Sequence, residues 1–112
     1  MATIKLRSLQ CILNDEVDKD EVYLKLDGKK IWPSGLYKQI NSGDKVDMNL
    51  SFEHSDEKMR IELWDFDFLS KNDLLGSFTI TPGGERGAFT ANMMLEREGS
   101  TASYMLEWEA RD

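Results

Sequence analysis

Apolar residues recur at every second position of this chain, and that spacing is the strongest constraint on what it can fold into. Val46, Met48, Leu50 and Phe52 alternate with polar residues, as do Met59, Ile61 and Leu63, then Phe89, Ala91, Met93 and Leu95, then Tyr104, Leu106 and Trp108. Successive side chains of an extended strand point to opposite faces, so each run offers one apolar face to a core and one polar face to water. Val22, Leu24 and Leu26 repeat the pattern and run into Asp27-Gly28, a dipeptide suited to a two-residue hairpin because both positions tolerate positive φ. The first strand is less regular. Ile4 and Leu6 share one parity, Leu9, Cys11 and Leu13 the other, and a bulge near Arg7-Ser8 would reconcile them.

Turn signals separate these runs: Pro33-Ser34-Gly35, Asn41-Ser42-Gly43, His54-Ser55-Asp56, Pro82-Gly83-Gly84 and Glu98-Gly99-Ser100. No segment carries a 3.6-residue apolar stripe with caps at both ends. About eight short strands at regular spacing predict an all-β fold, either a sandwich of two antiparallel sheets or a small barrel. With 112 residues the chain is long enough for one core and too short to divide, so residues 1–112 are expected to form a single domain.

A net charge of −7 sets nucleic acid aside as a partner, because a phosphate backbone would be repelled before specific contacts formed. No apolar run approaches the ~18 residues of a membrane span, and MATIKLRSLQ lacks the apolar core of a signal peptide. The single cysteine, Cys11, has no partner for an internal disulfide and sits between apolar neighbours, which fits a core residue in a reducing, cytoplasmic compartment. Catalysis is not expected. His54, the one histidine, lies in a polar turn, and nothing places it beside a nucleophile.

The acids say more by position than by sum. Residues 14–21, NDEVDKDE, carry a net −4, and residues 65–73, DFDFLSKND, a net −2. Asp65 and Asp67 continue the inward parity of Met59, Ile61 and Leu63, so their carboxylates fall on the inner side of the sheet where the core ends. Like charges roughly 7 Å apart in partly dry surroundings need protonation, hydrogen bonds or a cation to offset them. Asp73 returns on the next segment and can close on the same point, giving three hard oxygen donors with no histidine or thiol nearby, a set suited to Ca²⁺. Asp18 and Asp20 share the inward parity of Val22 and Leu24, so the first cluster could complete the site if its loop emerges at the same end. An EF-hand is excluded for that cluster by the missing loop glycine, the missing terminal glutamate and the absence of flanking helices.

The stretch IELWDFDFLSKNDLLGSFTI, Ile61 to Ile80, resembles the third calcium-binding loop of C2 domains. A strand there ends in Asp-aromatic-Asp, an Asn-Asp follows across a short loop, and Leu-Gly opens the next strand, as Asp65, Asp67, Asn72-Asp73 and Leu75-Gly76 do here. DEVYLKL, Asp20 to Leu26, is similar to the strand that follows the first loop, and the resemblance covers residues 4 to 80. It implies a ligand set of Asp15, Asp20 or Glu21, Asp65, Phe66, Asp67 and Asp73. An ungapped alignment on Tyr23 places Glu21 at the second position of the first loop, one extra residue places Asp20 there, and inward parity favours Asp20. Strands at 88–95 and 101–109 after Ile80 imply the circularly permuted form of the eight-stranded antiparallel C2 sandwich.

The implied function is Ca²⁺-dependent docking of a monomer on anionic phospholipid membranes, with Phe68 and Leu69 at the loop tip as membrane contacts. Lys25, Lys29, Lys30 and Lys38 lie where some relatives bind phosphoinositides, although a solvated face explains them as well. The competing expectation is a protein-interaction or structural sandwich in which Ca²⁺ only stiffens the fold or is absent.

Overall fold

Alternation is converted into ten strands in the computed structural model, which describes residues 2–14, 19–55, 57–83 and 86–112. They are β1 (Ala2–Leu13), β2 (Asp20–Leu26), β3 (Lys29–Trp32), β4 (Lys38–Ile40), β5 (Lys45–His54), β6 (Met59–Asp65), β7 (Asp73–Ile80), β8 (Gly87–Asn92), β9 (Met94–Leu95) and β10 (Ser103–Arg111). All pairings are antiparallel. One sheet has the order β5-β1-β10-β8 and the other β3-β2-β6-β7-β9, with β4 also on β2. The sandwich, not the barrel, is therefore the form adopted.

The two extra strands are local interruptions. β3 and β4 pair successive stretches of the same neighbour, Lys29–Trp32 against Leu24–Leu26 and Lys38–Ile40 against Asp20–Val22, so they are two halves of one edge. β8 and β9 flank Met93, where the chain leaves the first sheet for the second. That crossing corrects the expectation of one continuous strand over 88–95: Phe89, Ala91 and Met93 pack on the core, but Leu95 is exposed.

Parity holds where strands are central. Met59, Ile61 and Leu63 on β6 are buried, as are Tyr104, Leu106, Trp108 and Ala110 on β10, whereas edge strand β5 only half-buries Val46, Met48, Leu50 and Phe52. Each fully buried Leu or Ile contributes about 1.5–3 kcal/mol against its exposed state. The irregular first strand has the expected bulge: Leu6 pairs Trp108 and Ser8 pairs Glu107, leaving Arg7 as the extra residue. Both parity sets are thereby turned inward, and Ile4, Leu6, Leu9 and Cys11 are all completely buried. Leu13, beyond a second register shift, is exposed at the strand end. The hairpin turn also forms as its sequence predicts, with Asp27 at φ 52° and Gly28 at φ 79°.

Register fixes which loops share an end. Asp20 lies opposite Ile40, Val22 opposite Asp65, and Asp65 opposite Asp73 in the second sheet; in the first, Gln10 lies opposite Lys45 and Leu13 opposite Ser103. Segments 41–44, 66–72 and 96–102 therefore gather where β1 ends and β2 begins. Backbone bonds from Cys11 N to the Asp44 carbonyl and from Gly43 N to the Cys11 carbonyl tie this end together, as does Asn14, hydrogen-bonded to Asn41 and Ser42.

Candidate functional site

Two carboxylates enter the protein at this end, and each meets a donor. Asp65, the last residue of β6, is 3% exposed, and its Oδ1 accepts a hydrogen bond from the Glu21 backbone N–H at 3.0 Å. In return the Phe66 N–H donates to the Glu21 carbonyl at 2.7 Å. Asp20, the first residue of β2, is completely buried and accepts a 2.5 Å bond from the Tyr104 hydroxyl on the opposite sheet. Burial, and after it the Asp20 contact, pushes the Tyr104 hydroxyl far above its ordinary range, so it stays a proton donor. Burial likewise raises the neighbouring Cys11 thiol, the opposite of what a reactive cysteine requires.

Asp67 does not continue the inward face as its parity predicts, because β6 ends at Asp65 and Asp67 sits in the loop beyond. Its Oδ1 accepts from the Leu69 N–H and its Oδ2 from the Ser70 hydroxyl, both at 2.8 Å, which folds the tip of the loop around the carboxylate. These donors favour the charged form and lower its pKa, the Leu69 amide most. Asn72 fastens the same loop from below: its Oδ1 accepts from the Asp67 N–H at 2.9 Å, and its amide donates to the Tyr23 hydroxyl at 2.9 Å. Asp73 is half-buried, with the Arg97 guanidinium 3.5 Å away.

Aromatic rings line the outer side. Trp64 stacks beside Tyr23 with centroids 6.3 Å apart, and the Lys25 ammonium sits 4.9 Å above the Trp64 ring. Phe66 stacks on Tyr37 at 5.3 Å, and Phe68 meets both edge-on, at 4.7 Å from Phe66 and 6.0 Å from Tyr37. Phe68 nevertheless remains 68% exposed and Leu69 96% exposed. Proximity to the Glu21 carboxylate pushes the Tyr37 hydroxyl above its ordinary pKa.

The structure thus brings Glu21, Asp65, Phe66 and Asp73 to adjoining strand ends, keeps Asp67 in the loop just beyond, and turns Asp20 into the core. Asp15 and Asp18 lie outside the described residues. Among the described residues no three Asp, Glu, His or Cys side chains converge closely enough to hold a metal ion as they stand. Tyr104 and Tyr37 escaped the sequence reading. Alternation marked Tyr104 as a core residue without revealing a partner on the other sheet, and Tyr37 sits in a segment with no periodicity at all. Lys25 lies over Trp64 and faces Lys30 across the β2–β3 pair, Lys30 donates to the Gly35 carbonyl, and Lys29 and Lys38 are exposed. His54 pairs with Ala2, at the far end of β1 from Cys11.

No family model matches the sequence, and no curated protein does. Among solved structures, the C2A domain of a plant extended synaptotagmin 1 superposes with a TM-score of 0.53 at 13% identity, over 98% of this chain and 92% of that one. Two antiparallel sheets, loops gathered at one end and a shared fold over nearly the full length of both chains make this protein a C2-like β-sandwich.

Proposed function

We propose that the chain is a Ca²⁺-dependent module that docks reversibly on anionic phospholipid surfaces. The observation that carries the reading is a juxtaposition: Phe68 and Leu69 stand exposed on a loop whose two strand ends are Asp65 and Asp73, beside Glu21. Isolated exposed apolar residues need no explanation, but an aromatic-aliphatic tip raised above a ring of acids suits a surface that is both apolar and charged.

The donor chemistry fits the ion. Glu21, Asp65, Asp67 and Asp73 with the Phe66 carbonyl are hard oxygens, and Asp15 and Asp20 of the first loop belong to the same proposed set. Bound there, Ca²⁺ would supply positive charge and open coordination positions for lipid phosphate oxygens. The protein's own part is to hold Asp65 on the Glu21 amide, to keep Asp67 ionised through Leu69 and Ser70, and to present Phe68 and Leu69 outward. Asp20 would have to leave Tyr104 to take part, so Glu21 is the readier donor from the first loop. Cytoplasmic placement, a monomeric state and the permuted strand order, in which the final strand pairs the first, belong to the same proposal. Among the described residues no helix is long and apolar enough to cross a membrane.

A second reading is favoured by one observation: Asp20, Asp65 and Asp67 already accept hydrogen bonds from the protein. A protein-binding sandwich would need no ion to offset them. Two measurements separate the readings. A melt in EDTA against millimolar Ca²⁺ should show a midpoint that climbs with Ca²⁺ concentration, since a ligand of the native state stabilises by mass action. Co-sedimentation with phosphatidylserine vesicles should then require Ca²⁺. A Ca²⁺-stabilised protein that never pellets would leave the protein-interaction reading standing, and no shift at all would remove the metal.

A further inference from the structure

The aromatic tip is not made by one loop. Tyr37, which packs on Phe66 and Phe68, comes from the segment that interrupts the β3–β4 edge, and the residue before it, Leu36, is 62% exposed. That interruption is itself informative. Residues 33–37 leave the edge of β2 between Trp32 and Lys38, starting at Pro33, which has no N–H to donate to a ladder. The detour brings Tyr37 against the loop that follows β6.

Charge surrounds this tip in a definite pattern. Lys38 directly follows Tyr37, Lys71 lies on the loop just past Leu69, and the Lys30 ammonium is anchored on the Gly35 carbonyl, one residue before Leu36. Exposed apolar side chains with lysines adjacent to them in the chain suit an anionic bilayer interface, acyl chains below and acidic headgroups above.

We propose that Leu36 and Tyr37 form, together with Phe68 and Leu69, a single wedge built from two separate segments that enters the lipid interface. This deepens the membrane reading above and rests on it.

The test places an environment-sensitive fluorophore on Leu36→Cys, on Leu69→Cys and on Thr79→Cys, the last exposed on the outer face of β7. Cys11 is completely buried, so labelling is confined to the introduced thiol. Vesicles of phosphatidylcholine with phosphatidylserine are added with Ca²⁺, and phosphatidylcholine vesicles serve as control. The expected result is a blue shift at Leu36 and Leu69, none at Thr79, and none with phosphatidylcholine alone. Leu36→Ser, a change at an exposed site that leaves the core intact, should weaken partition by about tenfold. A shift at Leu69 but not at Leu36 would overturn the two-segment wedge while leaving membrane docking in place. No shift at either position, with no pelleting of the unlabelled protein, would overturn both.

Discussion

Asp67 shows how much one carboxylate can organise without being buried. Its two oxygens gather Leu69 and Ser70, and the donors hold its pKa below the 3.8 of a free carboxylate. A lowered folded pKa means that the stabilisation is present above the unfolded value and is lost as pH falls through the folded one. Acidification below about pH 4 should therefore progressively loosen the loop tip. The Leu69 amide resonance should move with Asp67 protonation, and in Asp67→Asn that titration should vanish. Tyr104 makes the contrasting case in the interior. Tyr104→Phe removes a donor from a completely buried carboxylate, so a loss of about 1–3 kcal/mol in urea unfolding is expected. Val22→Ala at the neighbouring inward position should cost through packing alone, with no change in how stability varies with pH.

At the scale of elements, β9 depends on a single glycine. A Cβ on Gly76 would stand 2.4 Å from the Met94 carbonyl oxygen and 2.6 Å from the Met93 Cγ, closer than atoms can approach. Gly76→Ala must push β9 off β7, and a drop of about 1–3 kcal/mol with a lowered melting temperature is expected. Gly35→Ala, with open space around the new methyl, should change the melt by less than about 0.5 kcal/mol. Alternation made most of this level legible: β2, β5, β6 and β10 and the Arg7 bulge follow from parity, and Asp27-Gly28 announced its own turn. The break between β3 and β4 falls on Pro33-Ser34-Gly35, a turn signal the sequence carries, but the packing of Tyr37 on Phe66 and Phe68 beyond it was not legible. Nor was the crossing at Met93, which lies against Gly76 on another strand, and no local pattern encodes a distant neighbour. The candidate site divides along the same line. The inward turn of Asp20 and Asp65 followed from counting in twos, but the Tyr104 hydroxyl that claims Asp20, and the Tyr37 contact with Glu21, required the two sheets and the two segments to be brought together.

For the molecule as a whole, the proposal makes charge and stability move together. Much of the net −7 is concentrated in residues 14–21 and 65–73, whose strand ends share one end of the sandwich. Replacing Asp65 and Asp73 together with Asn should raise the melting temperature in EDTA by relieving repulsion, and should abolish any further gain from Ca²⁺. A double variant that melts lower in EDTA would mean that the Glu21 and Arg97 contacts outweigh that repulsion. Thr3 lies opposite Arg111 in the pairing of the first and last strands, at the end away from the loops. The first described residue, Ala2, and the end of β10 therefore lie on the same side, at the end of the sandwich away from Phe68 and Leu69. A fluorescent or affinity partner fused to either terminus should sit on the water side of a docked molecule, and two different fusions could be read against each other without either one shielding the contact.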